Sequence, residues 1–334
     1  MILALPLPER LLIARIAAAV RHSRTARSPK LPKVGSPSLV TGIGDDCGIL
    51  RIHAGHEILV TTDFSLEGVH FRREWHSPES IGHRCLARGL SDVAAMGGAP
   101  VAAFLSLATP ARTSQNWIDR FLDGFLKLAG EFGVTLAGGD TAESSAGILA
   151  DIVVLGSVPK GKALLRSGAR PGDRIYVTGA LGISAATLDL LYSGRKLSSA
   201  IFSRHFFPAP RVSEAVALRA RSIPSSMIDL SDGLSTDLSH ICEASGVGAN
   251  IWAGAIPVAQ LGSRPKAVEL KHALHGGEDY ELLFTAAERR HVPTRIAGTP
   301  VTCIGEVTRG KQMFLVCDNG SRSILRSQGW EHFR

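Results

Sequence analysis

No CxxC pair occurs among the five cysteines, Cys47, Cys85, Cys242, Cys303 and Cys317, which are odd in number and scattered. That spacing predicts reduced thiols, a cytoplasmic setting and no zinc site. Aromatic residues make up only 6% of the chain, and none interleave with its densest basic stretch, RHSRTARSPKLPK (21–33). Nucleic acid is therefore not an expected partner, and the stretch reads as a mobile surface loop. The longest uncharged run, GGAPVAAFLSLATPA, is about fifteen residues and is broken by proline, too short to cross a bilayer. No membrane partner is expected. MILALPLPER lacks a basic n-region and meets Pro and Glu early, so no secretory signal is expected.

What is present fits a globular protein of 334 residues, 45% apolar and 20% charged, long enough for two domains with separate cores. The formal charge of +7, from 37 Lys and Arg against 30 Asp and Glu, suits an anionic small substrate. RLLIARIAAAV reads as an amphipathic helix and HEILVTTD as a buried strand ending at Asp63. With Ser77 as N-cap and Pro78 in the first turn, ESIGHRCLARGLSDVAAMG reads as a helix that stops at Gly97–Gly98. PVAAFLSLA, VTLAGGDT and GILADIVVLGSV read as strands, with the helix NWIDRFLDGFLKLAGEF after the first. Strand and helix signals then resume in DRIYVTG, SSMIDLSDG, GLSTDLSHICEAS, YELLFTA, TCIGEVT and MFLVCD. The chain is thus expected to be α/β (α+β), with domains at 1–157 and 158–334.

GSVPKGKA (156–163) has Walker A spacing up to its last position, where Ala163 replaces the Ser or Thr that would ligate Mg²⁺. The following LLRSGARPGD is too rich in Gly and Pro to open the required helix. Nucleotide, if bound, must be bound another way.

Aspartates stand where strands or helices give way to glycine turns: GIGDDCG with Asp45 and Asp46, VTTDF with Asp63, LSDVAAMGG with Asp92, LAGGDT with Asp140, and MIDLSDG with Asp229 and Asp232. One such aspartate is ordinary turn chemistry, but so many suggest a cluster. Two carboxylates about 4 Å apart repel by about 4 kcal/mol at an effective dielectric near 20, so a cluster requires cations. An all-oxygen donor set selects hard ions such as Mg²⁺, which work with substrate phosphates. Lys160, Lys162, Arg166 and Arg170 are candidate basic partners for such phosphates.

GIGDDC, TTDFSLEGVHF, LARGLSDVAAMGG, LAGGDT, ALLRSGARPGDRIYVTGALG, IDLSDGLSTDL and GGEDYELLF follow one another as in the thiamine-monophosphate kinase family, which the chain resembles from about residue 9 to the terminal GWEHF. That family belongs to the PurM-like (aminoimidazole ribonucleotide synthetase) superfamily, whose members bind ATP without a P-loop. The resemblance implies two PurM-like domains. The N-terminal one would hold the metal and ATP site and pair its sheet across a homodimer, and the C-terminal one would be an α/β sandwich. It also implies the reaction of ATP with thiamine monophosphate to give ADP and thiamine diphosphate by direct in-line transfer, with several Mg²⁺ ions. Carried over by motif, Asp46, Thr61, Thr62, Asp63, Asp92, Asp140, Asp229 and Asp232 are the metal ligands, with Asp46, Asp63, Asp92 and Asp140 catalytic. Gly139, Asp140, Arg166 and Ser231 match ATP-contacting positions; His70, Glu278 and Trp330 match the thiamine-phosphate site.

One departure stands out. After GGDT the family continues with Thr and Arg, whereas this chain has Ala142 and Glu143, which predicts retained activity with a raised KM for ATP. Two rival readings remain. Another ATP-dependent synthetase of the superfamily is opposed by GVHF, GGEDYELLF and GWEHF, and a non-catalytic nucleotide or metal sensor is favoured only by Glu143.

Overall fold

A computed structural model describes residues 7–23, 38–43, 47–262 and 266–330. Asp45, Asp46, most of the basic stretch and the EHF of the terminal motif lie outside the described residues. The chain divides into two compact units, Met1–Val93 with Gly98–Gly161, and Ala94–Gly97 with Lys162–Arg334.

The first unit contains α1 (Glu9–Ser23), β1 (Ser38–Thr41), β2 (Ile49–Arg51), β3 (His56–Leu66), α2 (Pro78–Ala95), β4 (Ala99–Thr109), α3 (Gln115–Phe132), β5 (Thr135–Glu143) and β6 (Leu149–Pro159). Its main sheet has the order β3-β6-β4-β5, with β4 and β5 parallel and β6 antiparallel to both neighbours. α3 makes the crossover between the parallel pair. Its apolar residues recur every three or four positions, so Ile118, Phe121, Leu122, Phe125 and Leu128 are all buried, each worth on the order of 2 kcal/mol. The helix begins at Ser114, whose side chain accepts the Trp117 N–H, and ends at Gly133 in the left-handed region.

Helix α2 starts as its sequence predicts, with the Ser77 hydroxyl accepting the Ser80 N–H at 3.3 Å. It packs on α3 almost backbone to backbone: a β-carbon at Gly82 would lie 1.9 Å from the Phe121 carbonyl oxygen, and one at Gly124 would lie 2.0 Å from that of Glu79. Only glycine fits at either place.

The second unit contains β7 (Asp173–Thr178), α4 (Ile183–Tyr192), α5 (Ser203–Phe206), α6 (Val212–Ala220), β8 (Ser226–Asp229), α7 (Leu234–Ser245), β9 (Gly248–Trp252), β10 (Gln260–Leu261), β11 (Lys266–Ala267), α8 (Leu270–His275), β12 (Leu282–Ala287), β13 (Arg295–Ile296), β14 (Thr299–Thr308), β15 (Met313–Val316) and β16 (Arg322–Ile324). The large sheet runs β16-β15-β9-β14-β7-β12-β8, with β13 beside β14. Ile175, Val177, Ile228, Leu238, Ile241, Ile251, Leu283 and Ile304 form its core. β8 is therefore an edge strand, and α7, which follows it, lays Leu238 and Ile241 on that core.

Candidate active site

In the first unit β3 presents Thr61, Thr62 and Asp63 in succession, and successive strand residues face opposite ways. The Thr61 hydroxyl donates to Asp92 Oδ2 on α2, while the Thr62 hydroxyl donates to Asp151 Oδ1 on β6 at 2.9 Å. Asp63 lies two residues beyond Thr61 on the same side. The fold thus joins TTD and LSD, thirty residues apart in the chain, through a strand and the helix that covers it.

Asp140 enters from the other end of the sheet. Backbone register pairs Phe64 with Asp151, Asp151 with Ser106, and Ser106 with Asp140, which puts Asp140 at nearly the level of Asp63. The same pairing sets Asp140 on the face of Phe64 and Asp151, opposite Thr61 and Asp63, and three inter-strand steps of about 4.8 Å separate the two strands, so the two acids do not share one ion. Gly139 lets β5 adopt the local shape that sets up Asp140. Its φ is +149°, and a β-carbon there would fall 1.8 Å from the Leu105 carbonyl oxygen. Asp140 is exposed, with Oδ1 accepting the Thr141 N–H at 2.8 Å. Asp46 belongs to the segment joining β1 to β2. That hairpin packs beside β5, since β-carbons at Gly42 and Gly48 would lie 3.6 and 3.5 Å from the Ala137 carbonyl oxygen.

His70 follows β3, and its Nδ1 accepts the Leu66 N–H at 3.0 Å. In the neutral ring the proton therefore sits on Nε2.

In the second unit the connection from β8 to α7 is the organising feature. Its carbonyl oxygens make three bonds to two segments: Leu230 accepts the Tyr280 N–H at 2.9 Å, Ser231 accepts the Glu278 N–H at 2.8 Å, and Asp232 accepts the Trp330 N–H at 3.2 Å. Ser231, Asp232, Glu278 and Trp330 are thereby brought together from three distant parts of the chain. Glu278 and Tyr280 take left-handed backbone angles, φ +64° and +51°, which cost on the order of 1–3 kcal/mol each in non-glycine residues. Trp330 stays 54% exposed.

Asp229 closes β8 and is buried, and Asp237 on α7 is buried behind it. Burial, with Asp229 and Asp232 close by, holds the Asp237 carboxyl well above the usual carboxylate range. Asp232, Asp237 and His240 bring potential ligand atoms within 4.8 Å of one another. The carboxylates of Asp229, Asp232 and Asp237, crowded without a lysine or arginine among those influences, fit a hard divalent cation. The sequence reading gave Asp237 no role. Its signal is a spacing, an acid four residues after the glycine that begins a helix.

Arg166 lies outside this hydrogen-bonded group, tied in by its carbonyl oxygen, which accepts from the Ser245 hydroxyl at 3.3 Å. Lys160, Lys162, Arg166 and Arg170 are all exposed. The Walker-like segment is a turn whose amides are already used: the Gly161 N–H donates to Glu57 Oε2 at 3.0 Å and the Lys160 N–H to the Gly55 carbonyl at 2.9 Å. No helix follows it before β7.

The GGEDYELLF motif does two further jobs. Glu281 is fully buried and takes Arg211 through both carboxylate oxygens at 2.6 and 2.7 Å, Arg204 at 2.7 Å and the Thr178 hydroxyl at 2.7 Å. Asp279 accepts the Gly182 N–H at 2.6 Å, and burial pushes its pKa up to about 7 despite that bond and Arg204. Because this lies above the 3.8 of an unhindered aspartate, the group costs stability as pH rises from about 4 to about 7. Asp279→Asn should remove that cost. Its stability gain over the parent should grow through this window to at most about 4 kcal/mol above pH 7, as measured by urea unfolding at pH 5 and pH 8. A pH-independent difference would count against it.

Residues 44–158 match the family described as AIR synthase related protein, N-terminal domain, and residues 170–318 match its C-terminal domain. This defines the class, a two-domain protein of the PurM-like fold. The thiamine-monophosphate kinase of Escherichia coli K12 is 38% identical over 333 residues, 96% of this chain and 97% of the relative. The crystal structure of thiamine-monophosphate kinase from Stenotrophomonas maltophilia K279a superposes with a TM-score of 0.76 at 35% identity, covering 93% of this chain and 96% of that one. A structure of AaThiL complexed with AMPPCP and TMP gives a TM-score of 0.73 at 28% identity over 97% of both chains. The chain belongs to the thiamine-monophosphate kinase family. Among the described residues no helix is long and apolar enough to cross a membrane.

Proposed function

We propose that this chain transfers the γ-phosphoryl group of ATP to thiamine monophosphate, giving ADP and thiamine diphosphate. The observation that carries this reading is the near-complete overlap with the AaThiL structure complexed with the ATP analogue AMPPCP and TMP, joined to the pairing of Glu278 and Trp330 with the Ser231–Asp232 loop. Residues 1–157 would hold Asp46, Thr61, Thr62, Asp63, Asp92 and Asp140 as metal ligands, with Gly139 and Asp140 near nucleotide. Residues 158–334 would contribute Asp229, Asp232, Arg166 and Ser231. Bound Mg²⁺ supplies charge neutralisation on the phosphate oxygens. Trp330 offers a face to the cationic thiazolium, Glu278 a carboxylate to the aminopyrimidine, and His70 an Nε2–H to phosphate.

An oxygen of the substrate phosphate attacks the γ-phosphorus while the bond to the β–γ bridging oxygen breaks, so no covalent enzyme intermediate forms. The attacking phosphate is largely ionised at neutral pH, so no strong general base is required. Purified protein given ATP, Mg²⁺ and thiamine monophosphate should produce thiamine diphosphate, separable by chromatography. Absence of turnover would refute the reading. The ATP KM should be high, because exposed Glu143 at the end of β5 repels polyphosphate.

A homodimer completes the proposal. β3 is an edge strand of 11 residues that leaves Ile58, Val60 and Phe64 at 45, 66 and 55% exposure, a row that a second copy of the strand would cover. Replacing Val60 and Phe64 together with lysine should convert a dimer to monomer in light scattering. A dimer that persists would rule out this face. The five free cysteines support a reducing, cytoplasmic setting.

A further inference from the structure

The connection carrying Asp232 is held from two sides. Its carbonyl oxygens hold the segments bearing Tyr280, Glu278 and Trp330, as described above. Its N–H groups face the other way. Asp237 Oδ2 accepts the Asp232 N–H at 3.2 Å and the Gly233 N–H at 3.0 Å. Gly233, the residue before α7, has no side chain to cap the helix, and its φ of +113° is a conformation that glycine tolerates. Asp237 reaches back one turn to hold the two amides that precede the helix. It is 1% exposed and cannot be replaced there by water.

We infer that Asp237 is a positioning residue: by fixing two consecutive amides it sets the direction of the Asp232 carboxylate toward metal and of the Asp232 carbonyl toward Trp330. The inference rests on the reading that Asp232 binds Mg²⁺. Residues behind a metal ligand are worth about 10–100-fold in affinity or activity, which sets the expected effect.

The test compares Asp237→Ala with Asp237→Asn, whose amide oxygen can still accept both N–H bonds. Hydrogen exchange at the Asp232 and Gly233 amides, followed without metal, should be slow in the parent and in Asp237→Asn and fast in Asp237→Ala. Calorimetric titration of Mg²⁺ with AMPPCP present should show affinity lowered about 10–100-fold in Asp237→Ala and mostly recovered in Asp237→Asn. If Asp237→Ala fails to fold, Asp237→Val keeps the bulk without an acceptor and answers the same question. Unchanged amide exchange and Mg²⁺ affinity in the alanine or valine variant would overturn the inference. So would an asparagine variant with slow exchange but lost Mg²⁺ binding, because Asp237 would then be a ligand itself. Neither readout needs turnover, so a parent protein inactive on thiamine monophosphate would defeat the kinase reading separately.

Discussion

Asp92→Asn should lower kcat by about two to three orders of magnitude, on the order of 3–4 kcal/mol of transition-state stabilisation, while leaving the melting temperature within a few degrees. Asp92 is half-buried at the point where α2 meets β3, and its Oδ2 accepts from the Thr61 hydroxyl. An asparagine oxygen can keep that bond, so the strand and helix stay joined. What the substitution removes is a negative charge beside Thr61, two strand residues from Asp63. If Asp92 is a metal ligand, developing charge on the phosphates loses its counter-ion at that spot. Thiamine diphosphate formation at saturating ATP and varied Mg²⁺ decides the matter. A kcat within tenfold of the parent, with the same Mg²⁺ dependence, would leave Asp92 as a structural tie.

The second large effect is on stability. Glu281→Ala should destabilise the second unit by about 3–5 kcal/mol, since it strips the counter-charge from Arg211 and Arg204 at a fully buried position. Arg211 is the more affected, being 19% exposed against 39% for Arg204. Glu281→Gln keeps the volume and an acceptor and should cost less. Chemical denaturation followed by tryptophan fluorescence measures both. An unchanged midpoint for the alanine variant would mean that the arginines find water instead.

Much of the first unit was legible because its elements carry their own punctuation. Ser77 and Pro78 start α2, Ser114 and Gly133 bound α3, and the apolar runs of β4 and β6 are long. β3 was read as ending at Asp63 but continues to Leu66, because Phe64, Ser65 and Leu66 go on pairing with Asp151, Ala150 and Leu149. Its exposed Val60 and Phe64 also depart from the buried strand expected. The region of α4 to α6 gave no clear pattern: α5 has only 4 residues and α6 only 9, too short for periodicity to show. The Walker-like segment opens no helix, as Gly168, Pro171 and Gly172 predict, because such residues act locally.

The site divides the same way. Composition and motif order pointed to the acids, but the contacts that assemble them cross long stretches of chain. Thr61 meets Asp92 only because α2 folds over β3, and Trp330 meets Asp232 through a backbone bond that no side-chain pattern encodes. Glu281 stands inside the GGEDYELLF motif, where nothing in the sequence marks its partners. Its partners, Arg204 and Arg211, lie 77 and 70 residues away.

The glycine-on-glycine crossing of α2 and α3 has a reach beyond its own contact. Gly82 lies ten residues before Asp92, about 15 Å along a stiff helix. With backbone pressed on backbone there, the rod has no slack to slide or roll, so the far end arrives at β3 at a set depth. A methyl group added at that crossing would act as a shim under a lever, lifting a carboxylate that it never touches.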